Sequence, residues 1–229
     1  MANLSRFGGV PRSSIYLSEQ AAAQADVAGS GQFWVKNDTP NIPMFTDDAG
    51  TIYSLRSEGK QATYIPVDAS SILPITAGPI TLKAADANFK DPFYYIPFDG
   101  TSIEVATFFW KPPARWNVGT LSAKFIWVAS TNAAALTVSW NLQAYAYSDG
   151  EDLSNEATSG QQVVDSTTND LKDLLISAET PALTIQGTPA AGDLLEVRIV
   201  RNPTADTYTA DAWLRGVELF WTTDDPTDD

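Results

Sequence analysis

The chain has no cysteine and no histidine in 229 residues, and only two methionines. Without cysteine there is no disulfide, no thiolate nucleophile and no soft metal site. Without histidine the chain lacks the side chain that most often moves protons near neutral pH and most often ligates metals. Only carboxylate, lysine, hydroxyl and phenol chemistry remains. The composition therefore reads as a binding or structural protein rather than an enzyme, with no cofactor and no metal. Basic residues are also scarce: 14 Lys and Arg stand against 28 Asp and Glu, a formal net charge of −14. Affinity for phosphates rests mostly on Lys and Arg, so no nucleic-acid partner is expected. An anionic membrane surface is disfavoured for the same reason. No run of 18 apolar residues occurs, and Met1–Gly9 carries no apolar stretch of signal-peptide length, so a soluble protein with no membrane segment is expected.

Hydrophobic residues make up 44% of the chain and aromatics 11%, with seven tryptophans, enough for a real core. The pattern divides the chain into five parts. Residues 1–31 are small, polar and glycine-bearing and read as an extended arm, with a helix-compatible stretch at 18–27. Residues 32–56 read as a β-meander: short strands at Phe33–Lys36, Met44–Thr46 and Thr51–Leu55, separated by the turn signals Asn37-Asp38-Thr39-Pro40-Asn41 and Asp47-Asp48-Ala49-Gly50. Residues 57–78 read as a connector, 79–223 as a sandwich and 224–229 as an acidic tail. In the sandwich region strand-like runs recur at Ile80–Ala84, Phe93–Phe98, Ser102–Lys111, Leu121–Ala129, Ala135–Tyr147, Gln161–Asp165, Ala182–Gln186, Leu194–Arg201 and Ala212–Thr222. Apolar residues occupy alternate positions from Leu136 to Ala144 and again from Leu195 to Ile199, the period of a half-buried strand. The fold class is thus all-β, a small N-terminal β-meander followed by an antiparallel, jelly-roll-like β-sandwich. One short helix is expected at Asn169–Ser177, where Leu171, Leu174 and Leu175 share a helical face.

Few motifs carry chemistry. Asp47-Asp48 and Asp149-Gly150-Glu151-Asp152 lack the spacing of a calcium loop and read as solvated hairpin tips. Glu104, Glu196 and Glu218 lie in strands, but alternation turns Glu196 and Glu218 away from the apolar face, and no facing acid pair for glycoside hydrolysis is evident. No nucleophile elbow, Walker loop or dinucleotide fingerprint is present. Trp127, Trp140 and Trp213 sit mid-strand and read as core. Trp110, Arg115 and Trp116 flank two strand-ending prolines and are candidates for a ligand or subunit contact, weighed against packing across the end of the sandwich.

The segment Glu19–Asn41, continuing through Phe45-Thr46-Asp47-Asp48-Ala49-Gly50-Thr51, resembles a segment common in tailed-bacteriophage virion proteins of the head-decoration and tail-fibre-like families. Phe109-Trp110-Lys111-Pro112-Pro113 and Leu195–Asn202 resemble pieces of phage jelly-roll domains. The resemblance implies a virion protein assembled in the host bacterial cytoplasm, typically a homotrimer, with the major capsid protein or another shell protein as partner. The chain is too small for a long fibre shaft, which favours a capsid cement or head-decoration role over a tail-tip receptor binder. A carbohydrate-binding or glycan-hydrolysing sandwich is a third reading, and a host surface glycan is the partner under these alternatives. Candidate attachment residues are Phe33, Trp34, Val35, Lys36 and Phe45, with Arg6 and Arg12 in the arm.

Overall fold

The computed structural model describes residues 17–25, 28–37, 41–55, 59–68, 71–84 and 86–223. It divides into two compact units, Met1–Ser57 and Glu58–Asp229. The first holds four strands in spatial order: β1 (Glu19–Gln20), β2 (Gln32–Lys36), β3 (Ile42–Thr46) and β4 (Ile52–Ser54). β2, β3 and β4 form the expected antiparallel meander. The Asp47–Gly50 turn works as its residues suggest. Gly50 takes the left-handed φ of +80° that a side chain would oppose, and Asp47 Oδ1 accepts the Ala49 and Thr51 amides at 3.0 and 2.8 Å. The helix expected at 18–27 is not found over its described residues. Glu19–Gln20 instead pairs in parallel with Val35–Lys36, and the Gln32 side chain bonds both N and O of Gln24. An isolated ten-residue helix is marginal, whereas the open edge of β2 offers backbone partners at once.

The second unit is an antiparallel jelly-roll-like sandwich. Its strands are β5 (Gly59–Pro66), β6 (Leu73–Pro74), β7 (Thr81–Lys83), β8 (Phe93–Phe98), β9 (Glu104–Trp110), β10 (Ser122–Ala129), β11 (Thr137–Tyr147), β12 (Gly160–Ser166), β13 (Leu175–Ile176), β14 (Leu194–Arg201) and β15 (Ala212–Thr223). One sheet runs β13-β10-β15-β8-β7, with β5 also paired to β15; the other runs β12-β11-β14-β9-β6. The first three residues of β15 pair with β8 and its last eight with β5, so one 12-residue strand holds two shorter ones.

Three elements differ from the sequence pattern. Residues 59–66, inside the stretch read as a connector, form a full edge strand of the larger sheet. Their alternation is masked because Gly59, Gln61 and Thr63 stand where large apolar residues would mark an inward face. Asn169–Ser177 is not helical: it turns at Asp170 and ends in β13, whose Leu175 and Ile176 pair with Trp127 and Ile126. Leu171 and Leu175 gain more from packing on the hydrophobic clusters than a nine-residue helix supplies, while Leu174 is left exposed. Ala182–Gln186 makes only isolated bridges, Leu183 to Leu121 in one sheet and Gln186 to Tyr145 in the other, so it crosses the end of the sandwich.

Between the sheets Trp140 is fully buried and centres an aromatic cluster, stacked on Phe125 at 5.5 Å and edge-on to Phe98 and Trp127. The inward residues of β15 are Ala212, Leu214, Val217, Leu219 and Trp221, which slip phase after Leu214. A β-bulge at this point absorbs the slip: Trp127 faces Leu214, Ile126 faces Gly216, and Arg215 is the extra residue. Trp213 consequently lies outside the main core, in a satellite cluster, stacked on Tyr95 at 4.5 Å beside Phe89.

Candidate functional surfaces

Alternation sorts the first unit into two faces. Trp34, Met44 and Thr46 are buried, and Trp34 Nε1 donates to Thr46 Oγ1 at 3.0 Å. Phe33, Phe45 and Tyr53 are in cross-strand register on the opposite face. Their rings form a row, with centroids 4.9 Å apart from Phe33 to Phe45 and 6.3 Å from Phe45 to Tyr53. This row is uncovered: Phe33 is 67% exposed and Tyr53 49%. Leu55, whose amide bonds Pro43 O, extends it. Gly31 leaves the space in which the Phe45 ring lies, since a Cβ there would come within 2.6 Å of it.

Of the attachment residues named from sequence, Phe33 and Phe45 belong to this row. Val35 shares their face and is half-buried. Trp34 and Lys36 point the other way, and Trp34 is a packing residue. Arg6 and Arg12 lie outside the described residues. Tyr53 was not singled out from sequence. The signal was the Asp47–Gly50 turn, whose length sets Tyr53 opposite Phe45. Charge separates the units too. By sequence, residues 1–57 carry four basic and five acidic residues, and residues 58–229 carry ten and 23, nets of −1 and −13.

In the sandwich, Trp110 and Trp116 are core residues, 7% and 3% exposed. Trp110 packs against Trp116 at 6.3 Å and Trp221 at 6.1 Å, while the Arg115 guanidinium lies over Trp221 at 5.7 Å. Trp116 bridges Thr223 and thereby folds the proline-bearing loop back onto the end of β15. The rings close the end of the sandwich and do not present an outward platform.

The strand carboxylates are separated. Glu196 and Glu218 sit on strands of different sheets, both away from the shared core. Glu196 accepts Tyr147 Oη at 3.1 Å and Thr107 Oγ1 at 3.2 Å. Burial and the nearby Glu196 carboxylate push the Tyr147 phenol up to about 12. Glu104 accepts the Asp99 amide at 2.5 Å, and burial holds its carboxyl above the ordinary value. Among the described residues no group of three or more acids is placed to hold a metal ion.

One open pocket of about 210 Å³ and mixed polar and apolar lining lies on the larger sheet, formed by Lys60, Thr120, Ser122, Glu179, Phe220 and Thr222 among others. β5, β10 and β15 bring these together, with Glu179 arriving from the segment after β13. Lys60 Nζ and Ser122 Oγ both donate to the Glu179 carboxylate. Lys60 Nζ also lies 4.3 Å from the Phe220 ring centroid, and Lys124 Nζ lies 5.5 Å from it. Burial alone would raise Glu179, but the bonds from Lys60 and Ser122 outweigh it and hold the carboxyl below its usual value. No local motif marks this pocket, because its residues come from four separated parts of the chain.

No family model and no curated protein matches the chain. Among solved structures it is similar to a family 35 carbohydrate binding module from Clostridium thermocellum, at 9% identity and a TM-score of 0.40, over 69% of this chain and 97% of that one. It is similar to the MgGH51 α-L-arabinofuranosidase at 12% identity and a TM-score of 0.41, over 77% of this chain and 28% of that one. It is also similar to the extracellular domain of ANXUR2 from Arabidopsis thaliana at 10% identity and a TM-score of 0.39, over 82% of this chain and 53% of that one. The chain thus spans little more than a quarter of the arabinofuranosidase and about half of the ANXUR2 domain. Likeness at this level says nothing about ligand or activity.

Proposed function

We propose that this chain is a non-enzymatic structural protein of a tailed-bacteriophage virion, in which the small N-terminal sheet attaches to a shell protein and carries the acidic sandwich. The observation behind this reading is the uncovered row Phe33, Phe45 and Tyr53 on a sheet too small to cover it. Exposed aromatics in register are the usual anchors of a protein interface. The occupant is another protein rather than nucleic acid or an anionic membrane, because the unit holding the row is close to neutral and carries no basic excess. The segment containing the row is also the one that resembles phage virion proteins. Within the virion, a capsid cement role with three copies per site and the major capsid protein as partner is favoured over a tail-tip position, since the described residues form two sheet-built units and no fibrous shaft.

The test uses Phe33→Asp and Tyr53→Asp, alone and together, incubated with particles assembled without this protein. Both residues are exposed, so the fold survives, and particle occupancy is expected to fall at least about tenfold for the double variant. Full occupancy by the double variant would place attachment elsewhere.

A glycan-binding sandwich is the second reading. One observation favours it, the pocket beside Phe220 in which Lys60 and Glu179 meet.

A further inference from the structure

The pocket on the larger sheet has a composition that selects its ligand. Lys60 and Glu179 place ammonium donors and carboxylate acceptors side by side, and Thr120, Ser122 and Thr222 add hydroxyls that both donate and accept. A hydrocarbon ligand would strip these groups of water without replacing their hydrogen bonds. An anion would meet the ionised Glu179, and a cation would meet Lys60 with Lys124 nearby. A neutral molecule with several adjacent hydroxyls satisfies both halves of the ion pair at once. The volume of about 210 Å³ lies below the range of drug-sized sites and matches one ring. Lys60 already covers the face of Phe220, so the ring is held by hydrogen bonds to the ion pair, with Ala182 and the edge of Phe220 supplying apolar contact.

We propose that Lys60, Ser122, Glu179 and Thr222 bind one neutral pyranose ring, a free monosaccharide or a terminal residue of a glycan. This rests on the glycan-binding reading and is independent of how the first unit attaches. A single-ring site is weak, with a dissociation constant on the order of millimolar, and gains useful strength only through repeated copies.

The intact ¹⁵N-labelled chain is titrated with the methyl glycosides of glucose, galactose, mannose and N-acetylglucosamine to roughly 50 mM, well above the expected constant. A galactan and a mannan oligosaccharide form a second arm. At least one methyl glycoside is expected to give saturable amide shifts at Lys60, Ser122, Glu179 and Thr222. Binding by oligosaccharides at lower concentration than by the matching methyl glycoside identifies a glycan end as the source; equal binding identifies the free sugar. Glu179→Ala should weaken binding about tenfold or more, through loss of the carboxylate that the described residues place in the pocket. Glu179→Gln serves if the alanine variant unfolds, since it keeps the shape and removes the charge. Saturable shifts confined to another part of the sandwich would overturn the pocket and leave the glycan reading standing. No saturable shift with any probe would remove both. Wild-type affinity in both Glu179 variants would overturn the assignment of the pocket.

Discussion

Arg201 is the residue on which the stability of the sandwich can be tested most sharply. It is fully buried, and its partner Asp206 has a side chain only 2% exposed. Nε donates to Asp206 Oδ2 at 3.1 Å, Nη1 donates to the carbonyls of Phe98 and Ala210 at 2.6 and 2.9 Å, and Nη2 donates to Tyr208 O. One guanidinium thus ties the end of β8 to the loop that leads into β15. Arg201→Met preserves much of the apolar stem but leaves Asp206 as a buried charge without its ion-pair partner, which costs about 3–5 kcal/mol. Three carbonyls also lose their donor, at about 1 kcal/mol each where water cannot replace it. The expected loss is therefore about 3–8 kcal/mol, a large part of the stability of a domain this size. Urea unfolding followed by tryptophan fluorescence measures it, with far-UV circular dichroism confirming a single transition. Adding Asp206→Asn to the methionine variant should recover at least about 1 kcal/mol, because the stranded charge is gone. A loss below about 1 kcal/mol for Arg201→Met, or a double variant no better than the single, would refute the role assigned to the pair.

Gly100→Ala should cost about 1–3 kcal/mol, read as a lower urea midpoint, because the new Cβ would sit 2.3 Å from the Thr209 carbonyl carbon, backbone that cannot step aside. Asp86 is held down to about 2 by the Lys83 ammonium and the Phe89 and Asn88 amides. A depressed carboxyl contributes stability above its ordinary value and loses it as pH falls toward 2, so Asp86→Asn should differ from wild type at pH 6 and converge with it near pH 2. Asp211 is raised, by burial first and then by Asp99. A raised carboxyl contributes stability below its ordinary value that is lost as pH rises through the folded value, so Asp211→Asn should be relatively more stable at pH 7 than at pH 3, as thermal melts across that range will show. Sedimentation at micromolar concentration, free and on the particle, is expected to find a trimer; a monomer in both settings would rule out the homotrimer.

The all-β class was legible because alternation is a local property. Leu136–Ala144 and Leu195–Ile199 spell out their buried faces, and β11 and β14 bury those positions. The Asp47–Gly50 turn was equally readable, since a positive φ and an Asx bond need nothing beyond neighbouring residues. Where packing overrules local preference, the pattern misled. The leucines of 169–177 lie on a helical face, yet β10 takes Leu175 into a strand pair. Lys60 to Pro66 looked like a linker until β15 supplied a partner along its whole length. Trp110 and Trp116 flank two prolines, and the packing across the end of the sandwich weighed for them is what the structure has, although Trp221, which buries them, comes from more than a hundred residues away. The candidate sites divide in the same way. Phe33 and Phe45 were visible as apolar residues on a sheet too small to hide them. The pocket of Lys60, Ser122, Glu179 and Phe220 arises only when strands distant in sequence become neighbours, and no spacing in the chain records that.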